Sequence, residues 1–158
     1  MHGVVGDIQQ AWLREVLSAP APEGSVVVMH HPPVALEDSK IMRSAGLQNP
    51  VELATAISGT DVHAVLCGHL HLQLSGSLAG VPVWLTPGVV TRIDLTAPPQ
   101  MLRAVKGASA TLVDLGGPSS PTFCALHARD PWAGQQVYLL DASGADVEDE
   151  HAPRGTVS

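Results

Sequence analysis

Two short stretches concentrate the side chains able to do chemistry. His30 and His31 follow the run Val26-Val27-Val28-Met29 and precede Pro32-Pro33, while His69 and His71 follow Cys67-Gly68 with one residue between them. Imidazole is a common neutral-nitrogen ligand for zinc, iron and manganese. A lone histidine at a strand end is usually a satisfied polar residue. Four in two groups, each beside a glycine or proline that fixes the backbone, point instead to a metal site. In an extended segment residues two apart face the same way, so His69 and His71 are expected to look into one site together. His30 is expected to join them from a neighbouring strand, with Gly68 letting the backbone turn tightly beside the pair. His2 is a pocket candidate, His63 reads as a strand edge, and His127 and His151 read as surface residues.

These histidines need two buried strands to carry them. Ser25 to Met29 is a β-branched run without polar alternation, expected to be buried on both faces of an α/β sheet, and Val62 to Cys67 is a second such strand. A helix precedes each. Asp7 is expected to cap one whose apolar residues Ile8, Trp12, Leu13, Val16 and Leu17 share a face, stopped by the Pro-rich stretch from Ala19 to Gly24. Asn49-Pro50-Val51-Glu52 opens the other, with Val51, Leu53, Ala54 and Ile57 inward and Gly59 closing it. Between them the stretch from Val34 to Leu47 has no clean period and reads as a loop with one helical turn. Organisation is thus helix, strand and histidine group, twice. After Gly76 short strands separated by Gly and Pro follow: Ser77 to Ala79, Val81 to Thr86, Ala110 to Leu115, Pro121 to His127 and Gln135 to Leu140, an antiparallel pattern. Residues 1–143 therefore read as one α/β domain and residues 144–158 as an acidic tail without a core.

Composition narrows the partners. The chain has 158 residues, 45% of them hydrophobic, and a formal net charge of -7, which disfavours a nucleic-acid polymer or an anionic membrane. A small phosphate ester remains compatible, because metal ions would bring the positive charge. No apolar run approaches a membrane span, no leader pattern opens the sequence, and Cys67 and Cys124 form no CxxC pair, so a cytoplasmic location is expected. Cys67, Trp12 and Trp84 read as core residues rather than as a nucleophile or stacking platforms.

The run Val26 to Pro33, then Gly59-Thr60-Asp61-Val62, Leu66-Cys67-Gly68-His69-Leu70-His71 and Ala79-Gly80-Val81-Pro82-Val83, resembles the last motifs of the calcineurin-like metallophosphoesterases. The likeness is strongest to their bacterial cyclic-nucleotide phosphodiesterase branch (class III) and covers about residues 2 to 95. That resemblance implies the C-terminal half of an α/β/β/α sandwich and a two-metal site holding manganese, iron or zinc. His30 and His69 would ligate one ion and His71 the other, with His31 and His2 as neighbours able to contact substrate. The implied reaction is hydrolysis of a phosphodiester, such as a 3',5'-cyclic nucleotide, by a metal-activated hydroxide.

The family's earlier motifs, Asp-x-His, Gly-Asp and Gly-Asn-His-Asp/Glu, are not found in their places. Asn49 is the only asparagine and precedes proline; Asp61-Val62-His63 enters a strand instead of leaving one, and Gly6-Asp7 leads straight into a helix. Two cations held by neutral histidines alone lack the carboxylates that would offset their repulsion. A homodimer, or a first half supplied separately, is expected to complete the site. Glu37 and Asp94 are the carboxylates a second copy would lend. The alternative is a non-catalytic metal-binding or dimerising module derived from the same fold.

Overall fold

A computed structural model describes residues 2–98 and 100–147. The valine run forms strand β1 (Ser25–Val28), preceded by helix α1 (Asp7–Val16) and followed by helices α2 (Lys40–Ala45) and α3 (Pro50–Ile57). Strand β2 (Val62–Cys67) comes next, then β3 (Leu74–Leu78), β4 (Val81–Leu85), β5 (Thr91–Asp94) and β6 (Leu102–Lys106). Strands β7 (Ser109–Asp114), β8 (Thr122–His127) and β9 (Gln136–Leu140) complete the described elements. The class is mixed α/β, with strands predominating.

The first sheet has the order β1-β2-β4-β3, with β1, β2 and β4 parallel and β3 returning antiparallel to β4. A second, antiparallel sheet runs β5-β6-β9, and β7 pairs with β8. Leu17, Leu53 and Ile57 pack in one cluster with Val65, Cys67, Val83 and Leu85, so the helices cover one face of the first sheet. On the opposite face Trp84 stacks on Phe123 at 5.1 Å between ring centroids and donates its indole N–H to Thr111. Cover stops short of β1: Val28 is 76% exposed there.

Several local expectations are corrected. β1 is not buried on both faces, because among the described residues it is an edge strand. Gly6, not Asp7, caps α1, and its N–H donates to Oε1 of Gln9. Trp12 is no core residue: with Ile8 and Val16 it forms an exposed stripe at four-residue spacing, while Gln10, Leu13 and Leu17 turn inward. Asn49 does not cap α3 through its side chain, which instead accepts from the Val5 N–H and donates to the Val5 carbonyl. Val51 is exposed. Strands β5 and β6 lie where no strand was expected. The chain stays hydrogen-bonded past Gly144, since the Val147 N–H donates to the Leu139 carbonyl. Residues 148–158, including His151 and most of the expected tail, lie outside the described residues.

Asp61, at the entrance to β2, ties the start of the parallel pair together. Its Oδ2 accepts from the Ala21 N–H at 2.7 Å and from the Ser25 hydroxyl at 3.1 Å. The Asp-x-His lookalike it begins therefore has a structural use, and His63, exposed, lies with its ring against Gly24.

Candidate metal centre

Parallel pairing decides where the histidines arrive. Val28 stands opposite Leu66, and the ladder continues one step past both strands through Met29 N–H to Leu66 carbonyl and Gly68 N–H to His30 carbonyl. The segments His30-His31 and Gly68-His69 therefore leave the sheet side by side at its C-terminal edge. His69 Nδ1 lies 3.0 Å from His30 Nε2, and the His31 ring sits 4.3 Å from that of His69, centroid to centroid. One nitrogen from each of His30, His31 and His69 falls within 4.8 Å of the others.

The expected extended spacing of His69 and His71 is absent. Both take left-handed backbone, at φ 66° and 49°, whereas Gly68 does not. The Leu70 N–H donates to the Gly68 carbonyl at 2.8 Å, closing a three-residue γ-turn with His69 at its centre. Left-handed φ at a non-glycine residue costs on the order of 1–3 kcal/mol and gathers where the surroundings demand a particular side-chain aim. Here it turns His69 toward His30 and sends His71 elsewhere. His71 Nδ1 lies 2.8 Å from the Thr91 hydroxyl, and its carbonyl accepts from the Ile93 N–H.

His31 takes a larger part in the geometry than its type and position foretold. Its Nε2 is shielded from solvent and has no hydrogen-bond partner among the described residues. The ring lies against Gly3, where a Cβ would approach its Cγ and Nδ1 to 2.5 Å, so only glycine fits. Gly3 is held there by backbone bonds to Gly46 and Gln48. Burial, then the neighbouring His30, hold the His31 pKa below the usual imidazole value, with the amino terminus and exposed His2 adding to the effect. A neutral ring keeps its lone pair for a metal.

Three imidazoles, one with an orphaned buried nitrogen, suit a single divalent ion such as zinc. Among the described residues no carboxylate joins this group. Asp94 is engaged with Arg103 at 3.2 Å and with Thr96, and Glu37 is exposed in the loop before α2. Cys67 is buried under the cluster in β2, where loss of solvent pushes its thiol up to about 12. It is a core residue, as its apolar run implied.

No family model matches the chain. Three curated relatives are similar to part of it. A probable cyclic nucleotide phosphodiesterase of Rhodococcus erythropolis is 37% identical over 95 residues, which is 60% of this chain and 31% of the relative. A cAMP/cGMP dual specificity phosphodiesterase of Mycobacterium tuberculosis is 35% identical over 96 residues, 60% of this chain and 30% of that protein. A probable cyclic nucleotide phosphodiesterase of a Synechococcus species is 35% identical over 80 residues, or 49% and 30% respectively. The chain thus matches less than a third of the length of any of the three. No helix among the described residues is long and apolar enough to cross a membrane.

Proposed function

We propose that this chain carries the histidine side of a metal-dependent phosphodiesterase site of the calcineurin-like metallophosphoesterase type, acting in the cytoplasm on a small phosphodiester such as a 3',5'-cyclic nucleotide. The observation that carries this reading is the convergence of His30, His31 and His69 at the C-terminal edge of two parallel strands. The names of the relatives support the reaction class. In this reading His30 and His69 hold one ion of manganese, iron or zinc, with His31 against them. His71, on the same loop, would hold the second ion through its remaining nitrogen. When bound, such ions supply Lewis acidity toward phosphoryl oxygens and a nucleophile from water at neutral pH. The chain's own task is to keep the imidazoles aimed, through the Gly68 to Leu70 turn, the Thr91 contact and the shielded His31.

A carboxylate-bearing partner completes the site, either a second copy or a separately supplied first half of the sandwich. For a separately supplied first half, the place offered is the uncovered edge and face at β1, whose C-terminal end leads into His30. Among the described residues no carboxylate joins the histidine group, which suits a second reading, a metal-binding module without hydrolysis. The test is manganese-dependent turnover of bis(p-nitrophenyl) phosphate beside a His69→Ala/His71→Ala double variant. A rate lost in the variant supports the enzyme completed by a second copy; metal bound one to one with a rate equal to that of the variant rules out that completion and leaves the module or a separately supplied first half.

A further inference from the structure

Beyond the histidine cluster, a cavity of about 460 Å³ opens between the His71 loop, β5, β6 and the end of β8. Its polar lining is His71, Gln73, Arg92, Asp94 and His127. The charges there are unevenly matched. Arg92 and Asp94 lie two apart on β5 and so point the same way. Asp94 stands opposite Arg103 and pairs with it at 3.2 Å, whereas Arg92 stands opposite Val105. Among the described residues the Arg92 side chain makes no hydrogen bond or ion pair, and its Nε is shut off from solvent. A guanidinium in that position has surrendered part of its hydration with nothing in return, which is costly unless an anion takes the protein's place.

The surroundings are shaped to hold such a group. A Cβ at Gly107 would come within 2.5 Å of Arg92 Nε, and one at Gly88 within 2.8 Å of the His71 ring. Neither glycine has a left-handed φ, so close approach explains both: the Arg92 side chain at Gly107, and the Thr91 carbonyl at 2.5 Å together with the His71 ring at Gly88. The two imidazoles of the cavity lining are each fixed by a hydroxyl: His71 Nδ1 by Thr91 and His127 Nδ1 by the buried Ser109, both at 2.8 Å. That leaves the Nε2 of each without a partner among the described residues. Leu72, Pro87 and Val105 offer apolar wall for an organic body.

We infer that this cavity binds a small organic oxyanion, a phosphate ester or a carboxylate, with Arg92 as its charged fork and His127 as a neighbouring donor. Guanidinium geometry matches both anions in a two-pronged fashion, and the volume suits a small ligand. The carboxylate of Asp94 is neutralised by Arg103 and held by Thr96, so it does not cancel Arg92. This site does not depend on hydrolysis at the histidine cluster.

The test is calorimetric titration of the whole chain, in chelator, with phenyl phosphate, benzoate and, as the neutral blank, benzamide. Saturable binding of either anion, weakened about tenfold or more by Arg92→Gln and retained in His69→Ala, is the expected result. Preference between the two anions names the oxyanion. His127→Gln, at an exposed position, repeats the test should Arg92→Gln not fold; several-fold weaker binding is expected. Equal affinity in wild type and both folded variants, loss in His69→Ala alone, or no saturation by either anion up to ~10 mM overturns the inference.

Discussion

Two thiols in this chain have opposite fates because reactivity belongs to the thiolate. Cys67 is buried and pushed up to about 12, while Cys124 is exposed. Brief iodoacetamide treatment at pH 8 is expected to give one adduct, on Cys124, by peptide mass spectrometry; alkylation of Cys67 in the folded chain would contradict its burial. The histidines make a finer comparison. His31 offers a shielded, unpartnered nitrogen to the group, and His71 is tied to Thr91. His31→Ala should therefore weaken binding of the first cobalt or zinc ion at least about tenfold, and His71→Ala should leave it near wild type. Calorimetry or the cobalt spectrum reads both, and the reverse order would mean the rings rearrange around the ion. Residue types and spacing were enough to bring out His30 and His69, since both follow apolar runs. The left-handed φ values at His69 and His71 were not legible, because nothing in Gly-His-Leu-His dictates dihedrals that only the surrounding fold enforces. Nor was Arg92, whose meaning depends on what stands across β6.

At the scale of elements, Asp61 fastens the linker after α1 and the first residue of β1 to the entrance of β2. The Ala21 N–H, followed by the Ser25 hydroxyl, holds its carboxyl below the usual carboxylate range. With the folded pKa below the unfolded one, the unfolded chain takes up the proton first. The stability from this contact is thus present above about pH 4 and is lost as pH falls through the folded value. Thermal melts from pH 7 to 3 should show Asp61→Asn losing less stability on acidification than wild type, and parallel curves would remove Asp61 from the account. The two parallel strands β1 and β2 and the helices before them were legible as elements, since β-branched runs and Pro and Gly boundaries are strong local signals, though the burial of β1 was not. β5 and β6 were missed for a physical reason. Thr91-Arg92-Ile93-Asp94 and Leu102-Arg103-Ala104-Val105-Lys106 are short and charged, and their pairing rests on contacts such as Asp94 with Arg103 that sequence order does not announce. α1 was misjudged in its facing, because apolar periodicity tells that a stripe exists and not whether this chain covers it.

Across the molecule as a whole, the apolar surfaces left open among the described residues include the Ile8, Trp12 and Val16 stripe on α1 and Val28 on the far face of β1. Ile8 is 87% exposed and Trp12 61%, values that invite association in water. Ile8→Glu with Trp12→Glu is expected to shift the isolated chain toward monomer in sedimentation velocity without altering its circular dichroism. An unchanged distribution would mean the stripe is not what associates. The uncovered edge of β1 carries a consequence for symmetry. Two copies related by a two-fold axis and hydrogen-bonded through the same strand edge must run antiparallel. Their histidine clusters would then lie at opposite ends of the joined sheet, and neither copy would lend the other a carboxylate across that seam. A copy that docked in the same direction would need a different edge, leaving its own β1 open for the next, and the result would be a growing fibre instead of a closed pair.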